Sequence, residues 1–199
     1  MARHNVVRKI KNRTTIILVM LLISIMVSWV IWGNLSVETT KLTVTSKDLP
    51  EAFDKFSIAH ISDLHNAEYG KNNEKLIDIL EAESPNIIAI TGDLIDSNHT
   101  NLEVALSFAQ QAVKIAPCYF VTGNHEAWIG SQYEELKTSL QNTGITVLQD
   151  EAIELNYGDV CIQLIGLNDP DFSERDRLLS ESILEAKLSQ VNISDGFTI

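Results

Sequence analysis

Three short motifs in this 199-residue sequence carry residue types that can hold a divalent cation: Asp63-Leu64-His65, Gly92-Asp93 and Gly123-Asn124-His125-Glu126. They are spaced 30 residues apart (63 to 93) and 31 residues apart (93 to 124). An Asp, a His, a second Asp and an Asn supply hard oxygen and imidazole ligands, a set suited to Mn, Fe, Zn or Mg. A glycine before Asp93 and before Asn124 lets the backbone turn sharply and bring each side chain to a shared centre. Singly, Asp-x-His and Gly-Asp are common turn sequences. All three in order, each following an apolar run, are hard to produce by packing needs alone, and a metal site is the expected reading.

The elements around the motifs alternate. Phe56–Ser62 reads as a short strand, and Leu76, Ile77, Ile79 and Leu80 set a helical spacing over Asn73–Glu83 that stops at Ser84-Pro85. Ile87–Thr91 is a continuous apolar run, as expected of a buried strand. Thr100-Asn-Leu-Glu103 has the form of a capping box opening a helix to about Ile115, and Cys118–Thr122 is the next strand. Ser131-Gln-Tyr-Glu134 has the form of a second box, its helix ending near Asn142 before Gly144. Ile145–Leu148, Ala152–Leu155 and Val160–Leu167 read as strands, the last two joined by a turn at Asn156–Asp159, and a final helix is expected over Glu174–Gln190. A further strand is expected at Glu38–Thr45, where Leu42 and Val44 alternate with polar residues. Repeated strand–helix–strand units imply an α/β fold whose first strands are parallel, with ligands bound beyond their carboxyl ends. Each motif sits at such an end.

Charge is distributed unevenly. Residues 1–13 contain Arg3, Arg8, Lys9, Lys11 and Arg13 and no acid, whereas the chain from Asn34 onward carries 10 basic and 27 acidic residues, a net −17. A surface of that sign repels nucleic acid and anionic headgroups unless bound cations invert the local field, so no nucleic-acid partner is expected. Between these regions Ile16–Trp32 is uncharged, and Thr14 and Thr15 extend the run to 19 residues. At 1.5 Å per residue this spans about 28 Å, near the bilayer's apolar thickness of about 30 Å. The expected organisation is a cytoplasmic basic tail (1–13), an uncleaved transmembrane signal anchor (14–32), a linker (33–36) and a soluble extracytoplasmic domain (37–199). No small-residue cleavage site follows the apolar run, which disfavours a cleaved signal peptide. Cys118 and Cys161 are too few for a disulfide framework and read as two small buried apolar side chains.

Phe56–Ile61 followed by Ser-Asp-Leu-His, then Thr-Gly-Asp-Leu-Ile-Asp, then Val-Thr-Gly-Asn-His-Glu, resembles the calcineurin-like metallophosphoesterases. The closest match is to their membrane-anchored or exported bacterial branch, and Ile165-Gly-Leu-Asn-Asp-Pro170 resembles a later strand and turn of that branch. The resemblance implies a four-layer α/β/β/α sandwich holding two divalent metals, with Mn, Fe and Zn as alternatives. It implies that Asp63 and His65 hold one metal, that Asp93 bridges both, and that Asn124 holds the other. His125 is then the catalytic residue, facing the scissile phosphate, and a hydroxide bridging the metals attacks phosphorus. The expected substrate is a phosphate ester near the membrane or envelope, lipid-linked or wall-linked.

The sequence also departs from that family, whose members carry two later histidine motifs. The five histidines here are His4, His60, His65, His99 and His125, so three His ligands have no counterpart, and a C-terminally truncated domain, inactive as it stands, is expected. A non-catalytic, membrane-tethered metal-binding or interaction domain with half the site is the alternative. His60 reads as a core or sheet-face residue, His99 as a solvated loop histidine and Asp96 as a loop cap. Glu126 reads equally as a support for its neighbours or as a solvent-facing acid, and Asp169, Asp171, Glu174 and Asp176 as a turn and helix start.

Overall fold

The computed structural model describes residues 2–172, 183–194 and 196–199, apart from the side chains of residues 2–14, 31, 34 and 35. The chain forms two compact units, Met1–Thr39 and Thr40–Ile199.

The first unit contains one helix, α1 (Ala2–Leu35), whose side chains from Ile16 to Val30 present apolar groups outward. Among the described residues no helix is long and apolar enough to cross a membrane. The described structure therefore does not bear out the span expected at 14–32.

In the second unit, β1 (Ile58–Ile61), β2 (Ile87–Thr91), β3 (Cys118–Val121) and β4 (Thr146–Val147) form a parallel sheet in that order. Helices α2 (Glu74–Glu83), α3 (Leu102–Ala112) and α5 (Gln132–Thr143) provide the crossovers. A fourth helix, α4 (Asn124–Trp128), follows β3 directly. An antiparallel hairpin, β5 (Glu151–Tyr157) and β6 (Val160–Gly166), forms a second sheet, and α6 (Ile183–Leu188) comes after it. Gln163 of β6 also bridges in parallel to Thr198.

Successive side chains in a strand face opposite ways. Ile87 and Tyr119 face the hairpin, packing with Leu155 and Ile162 around Phe53. Ile88, Ile90, Cys118 and Phe120 face the other side, where the buried faces of α2, α3 and α5 (Leu76, Leu80, Phe108, Leu136 and Leu140 among them) exclude water. Helices, parallel sheet and hairpin thus make three stacked layers. The register pairs Ile61 with Ile90 and Ile90 with Phe120, so β1, β2 and β3 end level at one rim.

Several expectations are corrected. Glu38–Thr45 forms no strand, and Leu42 and Val44 are 86% and 87% exposed. An alternating pattern creates a strand only where a partner edge pairs with it, and none does so among the described residues. Neither capping box forms. Thr100 gives its hydroxyl to Asp96 O at 3.0 Å, and Asn101 caps α3 by accepting from Glu103 N at 3.1 Å. Ser131 is helical and makes no side-chain cap bond. β5 runs longer than the expected Ala152–Leu155, leaving only Gly158-Asp159 as the turn, and β6 ends at Gly166, one residue before the expected Leu167. Of the helix expected over Glu174–Gln190, residues 173–182 lie outside the described ones, and α6 covers the rest to Leu188.

The layers fix the state of the two thiols. Cys118 is buried in β3 as expected, and burial pushes its thiol up to about 12, whereas Cys161, also expected to be buried, is exposed on β6. A thiol reagent at pH 8 should label one cysteine in the folded chain and two after denaturation. Prompt labelling of both in the folded chain would contradict a buried β3.

Candidate metal centre

The loops leaving β1 and β2 are bonded to each other along their backbones. Asp63 N donates to Gly92 O (3.3 Å), His65 N to Asp93 O (2.8 Å) and Asn66 N to Leu94 O (3.2 Å). Four non-glycine residues here, Asp63, His65, Asn66 and Asp93, have φ of 54°, 45°, 58° and 50°. Each such conformation costs on the order of 1–2 kcal/mol, and it persists where surrounding bonds leave no alternative. Three of the four, Asp63, His65 and Asp93, are residues expected to hold metal.

The β2 and β3 loops touch even more closely. Gly92 has φ +83°, and a Cβ on it would fall on the backbone of Gly123. Gly123 has ordinary extended backbone, and a Cβ there would run into the Asp93 carboxylate. Gly92 thus provides the turn, and both glycines permit the close approach.

Glu126 joins these loops. Its side chain is fully buried and accepts from Asp93 N (2.8 Å), Leu94 N (2.9 Å), Ile95 N (3.3 Å) and Gly123 N (2.7 Å). Burial pushes its carboxyl above the usual range, the N–H groups pull the other way, and the charge of Asp93 adds to the upward shift. The solvent-facing alternative for Glu126 is therefore wrong. Its spacing in the sequence held the signal, since an acid three residues after a helix-entry glycine is the Glu half of a capping box.

On this frame His65 Nε2 lies 3.6 Å from Asp63 Oδ1 and 3.8 Å from Asp93 Oδ2. Ligand atoms of His65, Asp93 and His125 all lie within 4.8 Å of one another. Separations of 3.6–3.8 Å are too long for hydrogen bonds. Ligands about 2.0–2.2 Å from a shared cation stand roughly 3–3.5 Å apart, so the residues fit a divalent metal after only a small contraction. Asn124 opens α4 at the same rim, half-buried beside His125.

His125 is held from both sides. Its main-chain N–H donates to Asp93 Oδ1 (2.9 Å), and its Nδ1 accepts from Ser97 N–H (3.0 Å). An amide N–H can only donate, so Nδ1 is unprotonated and the neutral ring carries its proton on Nε2. Asp96 Oδ1 stands 3.8 Å from Nδ1 and accepts from Asn98 N at 2.7 Å, the loop-cap role expected of it. The Asn98 N–H is the main cause that holds the Asp96 carboxyl below its usual range. The rings of His65 and His125 meet edge-to-face at 4.4 Å.

The remaining histidines stay outside the cluster. His60 points out from β1, with Nε2 at 2.6 Å from Thr91 Oγ1, and His99 is an exposed loop residue whose carbonyl accepts from Asn66 Nδ2 (2.8 Å). The turn after β6 returns to the rim, where Thr122 Oγ1 donates to Asn168 Oδ1 (3.0 Å) and accepts from Asp169 N (3.1 Å). Burial is the first cause of the raised Asp169 carboxyl, and the charges of Asp171 and Asp93 contribute.

The family model for calcineurin-like phosphoesterases matches residues 56–195. The uncharacterized metallophosphoesterase YkoQ of Bacillus subtilis is 28% identical over 137 residues, 67% of this chain and 50% of that protein. An uncharacterized metallophosphoesterase of Aquifex aeolicus is 29% identical over 136 residues, 66% of this chain and 49% of that protein. Among solved structures, the phosphopantetheinyl hydrolase of Mycobacterium tuberculosis superposes with a TM-score of 0.43 at 17% identity, covering 55% of this chain and 41% of that one. The chain spans about half the length of the curated relatives it matches.

Proposed function

The chain belongs to the calcineurin-like phosphoesterases, and from that premise we propose that it hydrolyses phosphate esters at a metal centre built on Asp63, His65, Asp93 and Asn124. The observation that carries this reading is His65 Nε2 facing two carboxylates at 3.6 and 3.8 Å, with the His125 ring against the His65 ring at 4.4 Å. Asp63, His65 and Asp93 would hold one cation, and Asp93 and Asn124 would begin a second site. A two-metal centre supplies charge neutralisation for the phosphoryl oxygens and a nucleophilic water at neutral pH. It also draws an anionic ester toward an acidic domain. Two ligands leave the second cation under-coordinated, so we propose that a longer form of the chain completes both that site and the four-layer sandwich with further histidines.

The chain's own residues orient the ring that meets the ester. Ser97 N–H fixes the neutral His125 tautomer with its proton on Nε2, and that N–H would donate a hydrogen bond to the negative charge developing on the departing oxygen. In the longer form of the chain, His125→Ala should leave metal content unchanged while lowering kcat and kcat/KM together, by about 10²–10³-fold on an alkyl phosphate ester. The loss should be smaller on 4-nitrophenyl phosphate, whose leaving oxygen disperses its charge into the ring. An equal loss on both esters would remove His125 from the departing oxygen.

We also propose that residues 14–32 anchor the chain with the basic tail inside, a reading supported by the +5 charge ahead of an uncharged 19-residue run. Its substrates would then be esters close to the membrane or envelope. Protease added outside intact cells should remove the region after Asn34 and spare residues 1–13. Protection of that region until the membrane is breached would refute the orientation.

A further inference from the structure

Trp128 lies one helical turn beyond His125 on α4, so the two side chains share a face. Their rings are 4.9 Å apart and tilted by 39°, continuing the row that starts with His65. A tryptophan usually buries most of its ring, yet Trp128 is 58% exposed. The ring is nevertheless tethered, because its indole N–H donates to Asp171 Oδ2 at 2.6 Å. Asp171 belongs to a short turn, Pro170–Phe172, that is itself pinned: Asp171 N donates to Asp169 Oδ1 (2.8 Å), and the Phe172 ring packs edge-to-face on Tyr133 at 4.8 Å. An aromatic face fixed by its edge and left open to solvent has little freedom to lose when a flat group stacks on it.

Resting on the phosphoesterase reading above, we propose that Trp128 is a specificity-determining residue that stacks on a planar ring in the leaving group, so that the site favours phosphate esters of ring-bearing alcohols over short alkyl esters. His125 is assigned to the departing oxygen, and the group attached to that oxygen is therefore what comes next to the neighbouring ring. The indole offers a flat apolar surface there, and neither a charge nor a hydrogen-bond donor, since its N–H is engaged by Asp171.

The test uses phenylphosphonate and methylphosphonate, which present the same phosphonate group, are not hydrolysed and differ in the ring. The chain has three tryptophans, so Trp29→Phe/Trp32→Phe in the full chain leaves Trp128 as the lone indole fluorophore. In the Mn-loaded protein, phenylphosphonate should quench that emission and bind about tenfold more tightly than methylphosphonate, a preference in the range that aromatic stacking supplies. Trp128→Ala, with binding followed by calorimetry, should abolish the preference without changing Mn content, and Trp128→Phe should keep most of it. Equal affinity for the two phosphonates in the unmutated site, or an undiminished preference in Trp128→Ala, would overturn the assignment alone. Binding of neither would overturn it together with the phosphoesterase reading.

Discussion

Glu126→Ala should destabilise the Thr40–Ile199 unit by about 4 kcal/mol, because it strands four backbone donors that nothing nearby can satisfy. An unsatisfied buried donor costs roughly 1–3 kcal/mol, and the donors belong to Asp93, Leu94, Ile95 and Gly123, with Leu94 and Ile95 wholly buried. Water entering the cavity would recover part of that loss, which keeps the total below the simple sum. For a unit of this size 1 kcal/mol corresponds to about 2–4 °C in Tm, so the melting temperature should fall by on the order of 10 °C. Glu126→Gln should fall between the variant and the parent, since it keeps the volume and one acceptor but turns an NH2 group toward donors. Thermal melts followed by circular dichroism measure this. A Glu126→Ala variant within about 1 kcal/mol of the parent would mean that the loops hold each other without the carboxylate.

The features that could be read in the sequence are those set by local pattern. Ile87–Thr91 is continuous and apolar because both faces of a central parallel strand are covered, and β2 has those bounds. The motifs after each strand reach one rim because parallel strands in register end level. What could not be read depends on partners. The Glu38–Thr45 alternation looks like a strand, yet pairing requires an edge that one segment cannot reveal. No helix is expected from the sequence at Gly123-Asn-His-Glu, yet α4 forms there with Glu126 drawn into the interior by donors from a loop about 30 residues earlier. Thr100 and Asn101 are both good N-cap types, and the choice fell to Asn101 because Asp96 O took the Thr100 hydroxyl. The role of Gly123 also needed the structure. The residue has no unusual φ, and only the proximity of the Asp93 carboxylate shows why a side chain is excluded.

Asp93 is where these threads meet. Its backbone N–H is held by Glu126, its Oδ1 accepts from His125 N–H, and its Oδ2 faces His65 Nε2 at 3.8 Å. Its carboxylate would supply the negative charge that offsets the repulsion between the proposed pair of cations. Asp93→Asn preserves shape and removes that charge. The decisive measurement is a Mn2+ titration of the full chain, with bound metal determined by electron paramagnetic resonance and elemental analysis for the parent, Asp93→Asn and His125→Ala side by side. The parent should hold Mn2+, Asp93→Asn should lose all of it, and His125→Ala should match the parent. A parent that binds no Mn2+, or an Asp93→Asn chain that keeps as much as the parent, would contradict a metal centre built on Asp93.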